Sequence, residues 1–152
     1  MGVFAKTTET GAAPKPRRPE QASPVLVAVY IVLFVGATGR SVVQIVRDFG
    51  AAPFAYTLSA VAAAVYLLAG IALALAHRSR AWQGIAAGAV GFELAGVLTV
   101  GMLSAVHPEY FPADTVWSGF GRGYLYIPFV LPLIGAAYLE SRPATRMKPS
   151  TT

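Results

Sequence analysis

Four long apolar runs restrict this chain to helices packed in a lipid bilayer. A hydrocarbon core about 30 Å thick is crossed by about 20 helical residues rising 1.5 Å each. No water is available there, so each run must satisfy its backbone hydrogen bonds within its own helix. The runs cover residues 24–46, 54–76, 82–106 and 124–139, and the second reads FAYTLSAVAAAVYLLAGIALALA. Ser23 stands where an N-cap belongs, with Pro24 at the first helical position. The fourth run is the shortest and carries Pro128 and Pro132.

Only 12% of the 152 residues are charged, against about 25% in a soluble domain. The expected fold class is all-α, a four-transmembrane-helix bundle. Lysine and arginine gather on the cytoplasmic side of such proteins. With the N-terminus inside, Lys6, Lys15, Arg17, Arg18, Arg78, Arg80, Arg142, Arg146 and Lys148 all fall there. Both termini are then cytoplasmic and the membrane is the plasma membrane. Arg40, Arg47 and Arg122 remain for the outer half. Residues 1–23 and 142–152 read as cytoplasmic tails, the first disordered and solvated. It lacks the apolar core of a signal peptide, and Lys6 breaks the myristoylation pattern. The isoelectric point near 9.8 reflects these tails and the turn HRSR, so the basic residues are anchors against anionic lipid, not a nucleic-acid surface. His77, in that turn, reads as a headgroup contact.

The connection between the third and fourth runs, HPEYFPADTVWSGFGRG, is aromatic. Phe111, Val116, Trp117 and Phe120 suggest a short amphipathic piece lying in the membrane interface, capped by Asp114.

Two ionisable residues interrupt the apolar runs. Arg40 lies seven residues before Arg47, about 10 Å deep if Arg47 marks the outer border. Glu93 lies eleven residues after Trp82, about 16 Å from the inner face. A lone carboxylate at that depth costs about 3 kcal/mol on insertion scales, so it must be neutral, paired or facing water. Arg40 leans toward the depth of Glu93 and is its expected partner. Gln44, one turn beyond Arg40, extends the polar track, and Tyr66 on the second run is placed to donate to Glu93. The alternative is structural: Arg40 snorkels to the headgroups, and Glu93 is protonated and hydrogen-bonded to a neighbouring helix.

Small residues form two stripes, Gly84, Gly88, Gly91 and Ala95 on the third run and Ser59, Ala63, Tyr66 and Gly70 on the second. Such stripes let helices approach closely. Contacts within the chain are the expected use, and dimerisation is the alternative.

The chain has no cysteine, which excludes disulfides, thiol nucleophiles and thiolate metal sites. His107, Glu109 and Asp114 lack a spacing that fixes a metal. The glycines at 119, 121 and 123 lack the strand that precedes a phosphate loop. No nucleophile elbow or zincin helix is present, so the expectation is a non-enzymatic protein without cofactor or metal.

Four stretches together resemble a group of small four-span membrane proteins common in actinobacteria: GRSVVQ (39–44), AYTLSA (55–60), GFELAG (91–96) and FPADTVWSGFGRGY (111–124). The resemblance covers most of residues 25–140. It implies a four-span topology and an actinobacterial source, and carries no catalytic residue over.

Three functions are compatible with these features. The first is an accessory subunit or scaffold of a larger envelope or respiratory complex, bound through its small-residue faces. The second is a small proton-coupled transporter acting as a homo-oligomer through Glu93. Four spans and one central carboxylate resemble the small multidrug resistance transporters, although there the carboxylate lies in the first span and the chain is shorter. The third is binding of an anionic lipid headgroup by Arg40, Arg47 and Arg122.

Overall fold

A computed structural model of the chain describes residues 22–141. The expected tails at 1–23 and 142–152 lie outside these residues, apart from Ala22 and Ser23. Four α-helices make up the fold: α1 (Pro24–Asp48), α2 (Pro53–Leu75), α3 (Arg80–Val106) and α4 (Ile127–Glu140), and no strand occurs among the described residues. Short 3₁₀ turns at Phe49–Ala51, Pro108–Tyr110 and Ser118–Tyr124 complete it.

Three helical segments are long and apolar enough to cross a membrane: Pro24–Ala51, Pro53–Leu75 and Arg80–Val106. The fourth expected span is shorter than 124–139. Its helix starts at Ile127 and has 14 residues, about 21 Å. Pro128 sets this limit, because its ring would clash with the carbonyl of residue 124 if the helix extended further back. Leu125 and Tyr126 instead take left-handed conformations. The turn Ser118–Tyr124 and α4 together could make one broken span, bent by 99°.

α1 packs along α2, α2 along α3, and α3 along α4, while α4 touches α1 at only a few points. Each helix turns an i, i+3/i+4 stripe inward. On α1 it is Leu26, Tyr30, Leu33, Ala37 and Ser41. On α3 it is Ala86, Ala89, Val90, Glu93, Val97 and Val100. Alanine fills much of the core, so the helices approach closely and dispersion between them contributes to holding the bundle. Large apolar side chains such as Val32, Val46 and Phe92 point outward, which suits a surface solvated by acyl chains.

The helix ends correct two expectations. Ser23 sits at the start of α1, but its side chain makes no capping bond; its carbonyl accepts from Val27 N at 3.2 Å. Ser79 is the side-chain cap, accepting from Trp82 N at 3.3 Å, and α3 accordingly begins at Arg80. In the turn between α2 and α3, the His77 ring meets the Ala74 carbonyl at 2.8 Å, occupying one of the carbonyls left open at the end of α2.

The connection after α3 does not lie along the surface as an amphipathic strip. Phe111, Val116 and Trp117 are buried in the bundle. Gly96, against which the Trp117 ring packs, stands ten residues before the end of α3, about 15 Å down the helix axis. The segment therefore turns back into the bundle. Its aromatic side chains find more apolar contact between the helices than in an interface.

Candidate functional site

The polar side chains of α1, α2, α3 and the inserted segment meet in one buried cluster. Tyr30 Oη donates to Glu93 Oε2 at 2.9 Å. Trp117 Nε1 donates to Tyr66 Oη at 3.0 Å. The Tyr30 and Tyr66 rings lie 6.4 Å apart, tilted by 55°. All four side chains are almost wholly enclosed, with Glu93 at 0% exposure. The second carboxylate oxygen, Glu93 Oε1, is buried and has no hydrogen-bond partner.

Each member reaches this place through local structure. Tyr30 and Glu93 occupy the inward stripes of their helices. Trp117 is aimed by a closed turn, in which Thr115 Oγ1 accepts from the backbone N–H of Trp117 at 3.1 Å and of Ser118 at 3.0 Å, while Ser118 Oγ accepts from Thr115 N at 2.9 Å. Thr115, not the expected Asp114, thus supplies the side-chain oxygen that fixes this turn. Opposite the indole, a Cβ on Gly96 would lie 2.8–3.1 Å from the ring, so only glycine leaves room for it. Gly101 plays the same part for Phe120, whose ring and backbone N would come within 2.6–2.9 Å of a Cβ there.

The expected Arg40–Glu93 pair is not formed. Arg40 Nη2 donates to the backbone carbonyl of Asp114 in the inserted segment. Neither Arg40 nor Glu93 takes part in an ion pair among the described residues. The reason is depth. Tyr30 stands level with Glu93, and Arg40 lies ten residues further along α1, about 15 Å away along its axis. Arg40 and Gln44 are part-buried beside the inward stripe of α1, and Arg40 Nε and Gln44 Oε1 are each buried without a hydrogen-bond partner. Tyr66 makes no hydrogen bond to Glu93; its hydroxyl oxygen accepts from Trp117 Nε1.

The remaining candidates lie apart. His107 Nδ1 and Glu109 Oε1 meet at 2.8 Å on the surface. The backbone amide of Glu109 itself, followed by the His107 ring, holds that carboxyl below the usual carboxylate range. Asp114 does not join them, and no group of three potential ligands occurs among the described residues. Arg47 and Arg122 are exposed, and neither shares a hydrogen bond with Arg40.

The two small-residue stripes separate. Ser59, Ala63, Tyr66 and Gly70 are buried within the chain, as expected. Gly84, Gly88, Gly91 and Ala95 face outward, and a Cβ on any of the three glycines would meet nothing within 4 Å. The inward positions of α3 belong to the Glu93 stripe, which leaves the glycine face without a partner among the described residues.

Sequence reasoning missed the role of Tyr30, although its hydroxyl is the only polar side-chain group in the apolar run from Pro24 to Val35. Two tyrosines and a carboxyl that can exchange hydrogen bonds are equipped to hold or release a proton.

No family model, curated protein or solved structure matches the chain, so the resemblance to the four-span actinobacterial group gains no support from these comparisons. Fold and surface together define the class: an all-helical protein with three to four apolar helices suited to crossing a membrane.

Proposed function

We propose that this chain is a non-enzymatic accessory subunit of the plasma membrane, with four spans and both termini cytoplasmic. It docks onto a larger membrane complex through the Gly84, Gly88, Gly91 and Ala95 face of α3. The observation that carries this reading is the open space beside all three glycines. Small residues on a lipid-facing helix gain little from acyl chains but allow close backbone packing against another helix.

The transporter alternative rests on Glu93. It has less support, because the crevices on the helix surfaces, including the one bordered by Tyr30 and Tyr66, are lined almost wholly by apolar groups.

The chain has no cysteine, so single-cysteine variants probe the docking face directly in native membranes. Gly91→Cys should cross-link to a larger protein, while Val32→Cys on the exposed face of α1 should not. Gly88→Leu should abolish stoichiometric co-purification in mild detergent. Cross-links confined to a second copy of the chain, or none from Gly91→Cys, would overturn the accessory-subunit reading.

A further inference from the structure

Glu93 is enclosed by every element of the bundle. Tyr30 faces it from α1 and Tyr66 from α2. Tyr124 stands beyond Tyr66 at the approach to α4. From α4 comes Gly135, where a Cβ would lie 3.4 Å from Tyr30 Oη. Trp117 closes the remaining side, its ring against Gly96, one turn from Glu93. None of these groups carries a positive charge, and no cation among the described residues lies within ion-pair distance. A carboxylate with one hydrogen bond and one bare oxygen is an unfavourable occupant of such a space.

We propose that Glu93 carries a proton on Oε1, forming a proton-binding site, and that Trp117 is the cover through which this proton exchanges with water at the end of the bundle where α3 terminates. The inference does not depend on the docking function.

The cover adjoins a strained segment. Its indole N–H makes one hydrogen bond, to Tyr66, and its chain continues into a segment with five left-handed residues, Gly119, Phe120, Gly121, Leu125 and Tyr126. Three of these have side chains that disfavour that conformation. Withdrawal of the indole opens space beside Gly96 and leaves the Tyr66 hydroxyl, whose oxygen had accepted the indole N–H, free to turn its own proton toward the carboxyl. Water then reaches Glu93. The Oε1–H bond breaks, its proton passes to water as hydronium, and the carboxylate keeps the Tyr30 bond and gains one from Tyr66. Return of the proton and of the indole restores the closed state.

Infrared spectroscopy of the full chain in lipid nanodiscs tests this. The difference between the unsubstituted protein and Glu93→Gln should contain the carbonyl band of a protonated carboxyl at neutral pH. After transfer to deuterated water, that band should shift slowly. In Trp117→Ala the shift should be about a hundredfold faster or more, the scale on which losing both the hydrogen bond and the ring packing raises an open population. Trp117→Phe keeps the bulk and removes only the N–H, and it should lie between, which preserves the test if the alanine variant misfolds. A missing carboxyl band would overturn the proton site, and equal exchange in the folded Trp117 variants and the unsubstituted protein would overturn the cover.

Discussion

The indole N–H of Trp117 reaches the hydroxyl of Tyr66 at 3.0 Å, tying the segment that follows α3 to the middle of α2. This contact joins residues 51 apart in sequence and seals one end of the cluster around Glu93.

Trp117 should therefore contribute to stability as well as to closure. Trp117→Phe should cost about 1 kcal/mol for the lost hydrogen bond, and Trp117→Ala about 3–5 kcal/mol. Reversible unfolding in mixed micelles measures both. Equal stability of all three proteins would show that the segment is not seated in the bundle.

Glycine at 96 should be required only while the indole is present. Gly96→Ala places a Cβ 2.8–3.1 Å from the Trp117 ring, an overpacking that costs about 1–3 kcal/mol. In a Trp117→Ala background the same change should be nearly neutral, a coupling that a double-mutant cycle reads directly. Gly84→Ala, with open space beside it, should leave the isolated chain's stability unchanged or slightly raised.

Tyr30, and not Arg40, should be energetically coupled to Glu93. Tyr30→Phe leaves both carboxyl oxygens without a donor and should destabilise by about 1–3 kcal/mol. Arg40→Ala and Glu93→Ala should add independently, because Arg40 is engaged by the Asp114 carbonyl. Coupling between 40 and 93 together with none between 30 and 93 would reverse this assignment.

Glu109 should titrate below an ordinary glutamate, since its own backbone amide and the His107 ring favour the ionised form. A carboxyl with a lowered folded value contributes stability above its unfolded value and loses it as pH falls through the folded one. The contact with His107 should thus survive until pH drops beneath the usual carboxylate range. The side-chain carboxyl shift of Glu109, followed by nuclear magnetic resonance in micelles, reports the midpoint. A midpoint at or above that of a free glutamate would contradict the geometry.

Much of the fold was legible before any coordinates, and the legible part is local. The apolar runs located α1, α2 and α3 to within a few residues, because burial of backbone in hydrocarbon leaves helix as the only solution. Their inward stripes follow the 3.6-residue period. Arg40 and Glu93 were recognisable as ionisable groups set inside apolar runs; Glu93 is wholly buried and Arg40 part-buried. The start of α4 was misplaced because Tyr124 and Tyr126 look like ordinary border aromatics, while the proline at 128 acts on a carbonyl four residues earlier.

What one helix meets across the bundle was not legible. Hydropathy and periodicity describe each helix against an average surrounding, whereas partners depend on the rotation and axial offset between helices. Those offsets come from how alanine and glycine faces fit together, a sum over many weak contacts with no local signature. The sequence alone thus determined that the chain is helical, apolar and suited to a membrane, and that positions 40 and 93 set ionisable groups inside its apolar runs. Tertiary packing decided that Tyr30 stands level with Glu93, that Trp117 enters beside Gly96, and that the glycine face of α3 is left outside.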